Sequence, residues 1–114
     1  MLTSGDVVVV ALGSPAGREA GFDHPAVVVT AQRILDASPN VVQIVPLTSK
    51  VRGFQAEVEI KPSHASGLVS RSAAQCQHVR AVSLARLGNT LGNVGAVALA
   101  QIRDTLGSIL DVAG

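Results

Sequence analysis

Runs of β-branched residues constrain the fold of this chain more than any other feature. The first run, residues 5–12, contains four consecutive valines, and residues 26–31 and 41–47 form two similar runs. Valine and isoleucine are restricted at χ1, which favours the pleated backbone over the helix. A short continuous apolar run predicts a strand that is buried on both faces or nearly so. We therefore expect three strands in the first half of the chain, of which the first is buried on both faces or nearly so. Pro46 predicts that the pairing of the third strand stops there or that this strand lies on an edge.

The second half predicts further strands and one helix. Residues 54–60 alternate between apolar and polar side chains, which predicts a strand with Phe54 on its core-facing side. Residues 68–72 and 73–82 also predict strands, with a short helical turn at residues 83–88 and a short strand or bend at residues 90–95. A helical turn is expected within the earlier segment 32–40.

The last segment, residues 96–112, repeats apolar side chains at helical spacing and predicts an amphipathic helix weakened by Gly107. Five to seven short strands in one block, followed by one helix, predict a mainly β fold rather than βαβ units. The length of 114 residues suits a single domain over residues 1–114.

Composition narrows the classes of function. The formal net charge is +1, so a nucleic-acid site would need a local cluster of Arg and Lys. The single cysteine, Cys76, excludes an intrachain disulfide and favours a reducing compartment. The sequence has neither the pattern of a signal peptide nor an apolar run of the ~20 residues that span a bilayer. We therefore expect a soluble cytoplasmic protein with no membrane partner.

Motifs for cofactors and metals are not found in the sequence. It contains no GxGxxG, P-loop or GxSxG pattern, and its three histidines and Cys76 lack the spacing of zinc ligands. We expect neither a cofactor nor a catalytic metal. A long segment, residues 13–25, is rich in Gly and Pro and holds four ionisable residues, which predicts a functional or mobile loop.

The order and spacing of these segments resemble the MazF/PemK/Kid family of toxins along almost the whole chain. The resembling pieces are a Gly-rich loop containing Glu19 and the segments GDVVVVAL, HPAVVVT, VVQIVPLTS, FQAEVEI, SGLVSRSAAQCQHVRAV and LGNVGAVALAQIRDTL. The resemblance implies an SH3-like β-barrel with a C-terminal helix, commonly a homodimer. It also implies a cognate, MazE-like antitoxin that covers the dimer groove and the active-site loops.

The resemblance further implies metal-independent, sequence-selective cleavage of single-stranded RNA such as mRNA. In this chemistry the 2′-OH of the substrate attacks the adjacent phosphate and leaves a 2′,3′-cyclic phosphate and a 5′-OH. The protein must then stabilise the charge of the phosphorane, deprotonate the 2′-OH and protonate the leaving oxygen.

Two residues correspond to catalytic positions of the family. Thr48 matches the family Thr after the third strand, although Thr and Ser are also ordinary turn residues. His24 stands before Pro25 where family members generally have Arg. A histidine changes charge near neutral pH and can transfer a proton, but it is a weaker permanent clamp on phosphate than a guanidinium. The alternative is a loop histidine that binds nothing.

Further candidates complete the expected site. Glu19 is a candidate base or a partner that orients His24, and an uninvolved loop carboxylate is the alternative. Candidate RNA-binding residues are Arg18, Phe22, Ser49, Lys50, Arg52, Gln75, Gln77 and Arg80, with Arg71 as another nearby cation. Each cation taken alone is more typical of a solvated surface charge, whereas the set on one face would form the local basic patch. The two glutamines are expected to share one strand face, from which they can read base edges; two exposed amides on a half-buried strand are the alternative. His78, on the opposite face with Cys76, is interpreted as structural.

Three functions remain open from the sequence. The first is an RNA-cleaving toxin that uses His24 and Thr48. The second is a family member with weakened or lost cleavage that binds RNA or an antitoxin, and the replacement of Arg by His24 motivates it. The third is a barrel used only for protein association.

Overall fold

The computed structural model describes residues 1–13, 17 and 23–112 of the chain. Within these residues, seven strands and two α-helices are present, and the last helix is much the longer. In chain order they are β1 (Asp6–Ala11), β2 (Asp23–Val28), α1 (Gln32–Leu35), β3 (Val41–Thr48), β4 (Glu57–Ile60), β5 (Ser72–Gln75), β6 (Arg80–Ser83), β7 (Leu87–Asn93) and α2 (Ala96–Leu110). The prediction of a mainly β fold with a C-terminal helix is confirmed.

All strand pairs are antiparallel, and the sheet follows the order β4-β5-β3-β2-β1-β7. Strand β3 has two different neighbours on one side: residues 41–44 pair with β6, whereas Leu47 and Thr48 pair with β5. In the described part of the chain β4 and β7 do not pair with each other, so the sheet is not closed into a continuous barrel. The β4–β5 connection lies against β7 instead, and the Asn93 amide donates to the Ala65 carbonyl at 2.8 Å.

The valine runs are buried because both faces of the central strands are covered. Successive residues of β1 alternate between two clusters: Val7 packs with Leu99 and Ile102 of α2, whereas Val8 packs in the cluster that contains Leu35 of α1. Val7 and Val8 are both fully buried. The continuous apolar runs thus confirm the expected strands that are buried on both faces.

The strand predicted over residues 54–60 is shorter than expected. Strand β4 begins only at Glu57, because the Glu57 amide donates to the Phe54 carbonyl at 3.0 Å and closes a turn over residues 54–57. The alternation of the sequence therefore does not describe the first half of this segment. The prediction that Phe54 faces the core is wrong, and its side chain is 56% exposed.

The segment 73–82 is also not one strand. A 3₁₀ turn, Cys76–His78, separates β5 from β6. Gln75 is the last residue of β5 and Gln77 lies in the turn, so the expectation that both share one strand face is wrong. Of residues 68–72, only Ser72 is in a strand.

The expectation that residues 13–25 form a loop is wrong for the last three of them, because β2 begins at Asp23 and pairs there with β1; β2 then ends at Val28, before the end of the predicted run. The other local predictions agree with the structure in the kind of element. The helical turns expected within residues 32–40 and 83–88 are α1 and the 3₁₀ turn Leu84–Arg86. Helix α2 ends at Leu110, where Asp111 adopts a left-handed conformation with φ 55°. No helix in the described ranges has the length and apolar character needed to cross a bilayer.

Candidate functional site

His24 and Thr48 lie at adjacent ends of two neighbouring strands. His24 is the second residue of β2 and Thr48 is the last residue of β3. The register pairs Ala26 with Pro46, and continuing it by two residues places His24 opposite Thr48. Both residues line one pocket of about 290 Å³.

Four of the eleven residues that line this pocket, which we call the His24–Thr48 pocket, carry a hydroxyl group. Its lining residues are His24, Pro25, Leu47, Thr48, Ser49, Gly67, Leu68, Val69, Ser70, Ser72 and Leu91. Ser72 begins β5 and Ser70 lies just before it, and neither is among the residues expected from the sequence. The pairing of β5 with Leu47 and Thr48 and the packing of the β4–β5 connection against β7 bring them to the pocket. Both are tertiary contacts that the local sequence pattern does not encode.

The imidazole of His24 replaces a hydrogen bond that Pro25 cannot make. The Val29 amide donates to the Gln43 carbonyl at 3.0 Å, so these two opposite residues are a hydrogen-bonded pair. In an antiparallel ladder every second opposite pair is hydrogen-bonded, and Pro25 and Leu47 therefore occupy another such position. Proline has no N–H, and the Leu47 carbonyl would lack its ladder donor. Nε2 of His24 instead forms a hydrogen bond with this carbonyl.

This contact defines the tautomer of the neutral imidazole. A carbonyl oxygen only accepts hydrogen bonds, so Nε2 of His24 must carry the proton. In the neutral ring Nδ1 then has the free lone pair. Nδ1 is therefore the nitrogen of His24 that can accept a proton, while Nε2 is engaged with the Leu47 carbonyl.

The Thr48 side chain organises the start of the β3–β4 loop. Its Oγ1 accepts a hydrogen bond from the Lys50 amide at 3.1 Å, which forms a local turn. The hydroxyl proton of Thr48 is not used in this contact and can be donated to an oxygen in the pocket. Ser49, Lys50 and Arg52 follow in the same loop, and all three are exposed.

A carboxylate missed in the sequence analysis holds the other end of this loop. Oε1 of Glu57 accepts hydrogen bonds from the amides of Arg52 and Gly53, each at 3.1 Å. Oε2 of Glu57 is buried and has no hydrogen-bond partner among the described residues. The role of Glu57 depends on the turn at residues 54–57, and the sequence pattern gave no sign of that turn.

The other expected cations are not all beside the pocket. Arg71 forms a bidentate ion pair with Glu59 at 2.7 and 2.9 Å. Hydrogen bonding from Arg71 lowers the pKa of Glu59, and the same contact raises the pKa of Arg71. Arg80 pairs with Ile44, four residues before Thr48 in β3. At ~3.3 Å per residue this separates Arg80 from the Thr48 end of the strand by about 13 Å.

The remaining candidates divide into described and undescribed residues. Gln75 is half-buried opposite Glu57, and Gln77 is exposed on the 3₁₀ turn. Arg18, Glu19 and Phe22 lie outside the described residues.

In the described ranges, no three or more His, Cys, Asp or Glu side chains cluster as metal ligands would. The thiol of Cys76 is buried, and burial raises its pKa to about 11.

A family model described as "PemK-like, MazF-like toxin of type II toxin-antitoxin system" matches residues 3–110. The chain belongs to this family. It is therefore a MazF-like toxin of a toxin–antitoxin system, and the resemblance drawn from the order of its segments is confirmed.

Solved structures of MazF-like toxins agree with this assignment. A MazF from Deinococcus radiodurans is 29% identical, with a TM-score of 0.80 over 96% of each chain. A MazE–MazF structure from the same organism is 28% identical, with a TM-score of 0.75 over 96% of each chain. The Mycobacterium tuberculosis toxin MazF-mt6, at 19% identity and a TM-score of 0.74, covers 95% of this chain and 99% of its own, and it supports the fold alone.

Proposed function

We propose that this MazF-like toxin is a metal-independent endoribonuclease that cleaves single-stranded RNA, including mRNA, at selected sequences. The observation that carries the proposal is that His24 and Thr48 line one pocket. Membership of the toxin family supports it. Solved structures with the same fold include a protein described as an endoribonuclease from a mycobacterial species.

The chemistry follows from the groups around the pocket. The substrate 2′-OH attacks the adjacent phosphorus, the bond to the leaving 5′-oxygen breaks, and this oxygen takes up a proton from water. The products are a 2′,3′-cyclic phosphate and a 5′-OH. Nδ1 of His24 accepts the 2′-OH proton, because Nε2 is engaged with the Leu47 carbonyl. The Thr48 hydroxyl and nearby amides donate to the phosphate oxygens, on which negative charge develops.

The partners proposed for the toxin are an antitoxin and a second copy of the chain. A MazE–MazF complex from D. radiodurans has the same fold at 28% identity. We propose that a MazE-like antitoxin binds this toxin and that two toxin chains form a homodimer. Size-exclusion chromatography with light scattering would measure the state of the toxin alone, and a monomer at micromolar concentration would contradict the dimer.

A second candidate function is binding without efficient cleavage. The specific observation in its favour is that His24 replaces the expected Arg and uses Nε2 to hold a main-chain carbonyl. A histidine with this structural role leaves the pocket without a permanent guanidinium clamp. In this case the toxin binds RNA or the antitoxin but turns over slowly.

One cleavage assay separates the two functions. Purified protein is incubated with mixed-sequence RNA in EDTA, and the product ends are identified as cyclic phosphate and 5′-OH. We expect cleavage by the wild type, loss of cleavage in Thr48→Ala, and wild-type cleavage in the control Thr90→Ala, whose side chain is exposed on β7. Absence of cleavage with retained RNA binding supports the second function.

Variants of His24 test its two nitrogens. His24→Gln keeps an N–H donor that can reach the Leu47 carbonyl but cannot take up a proton, whereas His24→Ala lacks both. We expect both variants to lose cleavage, and only His24→Ala to lose stability as well. The exposed His64 provides the matched control His64→Ala. Wild-type cleavage by His24→Gln would rule out proton transfer by His24.

A further inference from the structure

Phe54 is a large apolar side chain that the fold leaves in solvent. The chain contains only two aromatic residues, and Phe54 is 56% exposed. Phenylalanine is usually buried, so an exposed ring contributes little to the core. Its position follows from the turn over residues 54–57 described above.

Three hydrogen bonds that involve Glu57 stabilise this turn. The Glu57 amide donates to the Phe54 carbonyl at 3.0 Å, and Oε1 of Glu57 accepts from the Arg52 and Gly53 amides at 3.1 Å. Gly53 has a φ of 72°, a left-handed conformation that allows the chain to bend there. The backbone on both sides of Phe54 is therefore fixed although its ring is exposed.

The ring belongs to the loop that follows Thr48, and this loop also carries two cations. Lys50 and Arg52 are exposed in the same loop. The six-residue step from Thr48 to Phe54 spans at most about 22 Å, because an extended chain covers up to ~3.6 Å per residue. Proteins that bind single-stranded nucleic acids combine basic residues along the backbone with aromatic rings on which bases stack.

We propose that Phe54 is a base-stacking residue of the RNA interface and that Glu57 is the residue that positions it. The inference rests on the proposed RNA substrate and extends it to a nucleotide outside the His24–Thr48 pocket. A ring that follows two exposed cations along one loop suits a nucleotide, which offers a base to stack and a phosphate to pair. Every base has a π-face, so Phe54 adds affinity with little preference for sequence.

Binding to an RNA that cannot be cleaved tests this role. The probe is a fluorescein-labelled pool of short random-sequence 2′-O-methyl RNA, which lacks the attacking 2′-OH, and fluorescence anisotropy gives the Kd. We expect Phe54→Ala to weaken binding roughly 5- to 100-fold, as loss of one base stack does. Phe54→Tyr keeps a ring and should bind as the wild type does, whereas Phe54→Leu keeps only apolar area and should bind as weakly as Phe54→Ala.

Variants of Glu57 test the positioning role. Glu57→Gln keeps an oxygen that can accept from the Arg52 and Gly53 amides, and we expect nearly wild-type binding. Glu57→Ala removes the acceptor and should weaken binding, but it should add little in the Phe54→Ala background because both changes affect one contact. Additive losses would show that Glu57 does not act through the ring.

The outcomes distinguish this inference from the proposed cleavage. If binding depends on the ring but natural RNA is not cleaved, the stacking role stands and the nuclease proposal fails. If RNA is cleaved and all Phe54 variants bind equally, or if Phe54→Leu binds as the wild type does, the stacking role is overturned. If the variants lose only antitoxin binding, Phe54 belongs to a protein interface. Absence of any RNA binding by the wild type overturns both proposals.

Discussion

The contact that brings the β4–β5 connection against β7 depends on a glycine. A Cβ added at Gly67 would lie 2.0 Å from the Leu91 carbonyl oxygen and 2.5 Å from its carbon. These are backbone atoms, which cannot rotate away as a flexible side chain can. Gly67→Ala must therefore move the connection off β7, and this movement strains the nearby Asn93–Ala65 hydrogen bond of 2.8 Å.

The magnitude follows from three contributions. Overpacking costs about 1–3 kcal/mol, the left-handed backbone costs an alanine about 1–2 kcal/mol, and a lost hydrogen bond costs about 0.5–1.5 kcal/mol. Gly53 provides a matched control, since Gly53 and Gly67 both have a φ of 72° and a Cβ at Gly53 would meet nothing within 4 Å. The left-handed cost is common to both variants, so Gly67→Ala should lose about 1.5–4.5 kcal/mol more stability than Gly53→Ala.

Urea unfolding with linear extrapolation measures this difference, because the midpoint reports stability when the slope is unchanged. We expect Gly53→Ala to shift the midpoint modestly and Gly67→Ala to shift it much further. Equal shifts for the two variants would refute the argument, since they would show that the connection moves away from Leu91 at negligible cost.

Three further predictions concern the core, a thiol and a surface ion pair. Ile102→Ala, at a fully buried position of α2, should destabilise the fold by about 2–5 kcal/mol in urea, whereas Val97→Ala, whose wild-type side chain is 76% exposed, should change it by less than about 0.5 kcal/mol. Burial raises the pKa of the Cys76 thiol from 9.0 to about 11, so the folded state retains this proton more strongly than the unfolded state; stability should fall as pH rises from 9 to 11, and Cys76→Ala should lose that slope. Arg71→Ala should raise the pKa of Glu59 in a carboxyl NMR titration while leaving the urea midpoint almost unchanged, since the pair is exposed.

The elements that could be predicted from the sequence are those whose pattern is local. The valine runs of β1 and β3 and the helical spacing of α2 report burial directly, because a two-sided strand is apolar throughout and a surface helix is apolar on one face. The strand predictions fail where a tertiary contact determines the local conformation. Phe54 continues an alternating pattern but lies in the turn closed by Glu57, and residues 73–82 bend at Cys76–His78 because β5 and β6 pair with different parts of β3.

The position of His24 shows why the site was only partly predictable. The sequence places His24 beside Pro25 and Thr48 after the third strand. The contact with the Leu47 carbonyl, however, depends on which opposite residues of β2 and β3 form hydrogen-bonded pairs. In a strand with one buried face, the alternation of side chains fixes the register. From Ala26 to Val28 both faces of β2 are buried, so this part of its sequence carries no such alternation.

The hydrogen-bonding pattern between β2 and β3 also limits which residues can replace His24. Because Pro25 occupies a hydrogen-bonding position of the ladder, residue 24 must supply the donor that the Leu47 carbonyl would otherwise lack. A side chain with only one polar nitrogen would be used up by this contact. An imidazole has a second nitrogen, so His24 can satisfy the backbone with Nε2 and still present Nδ1 for proton transfer.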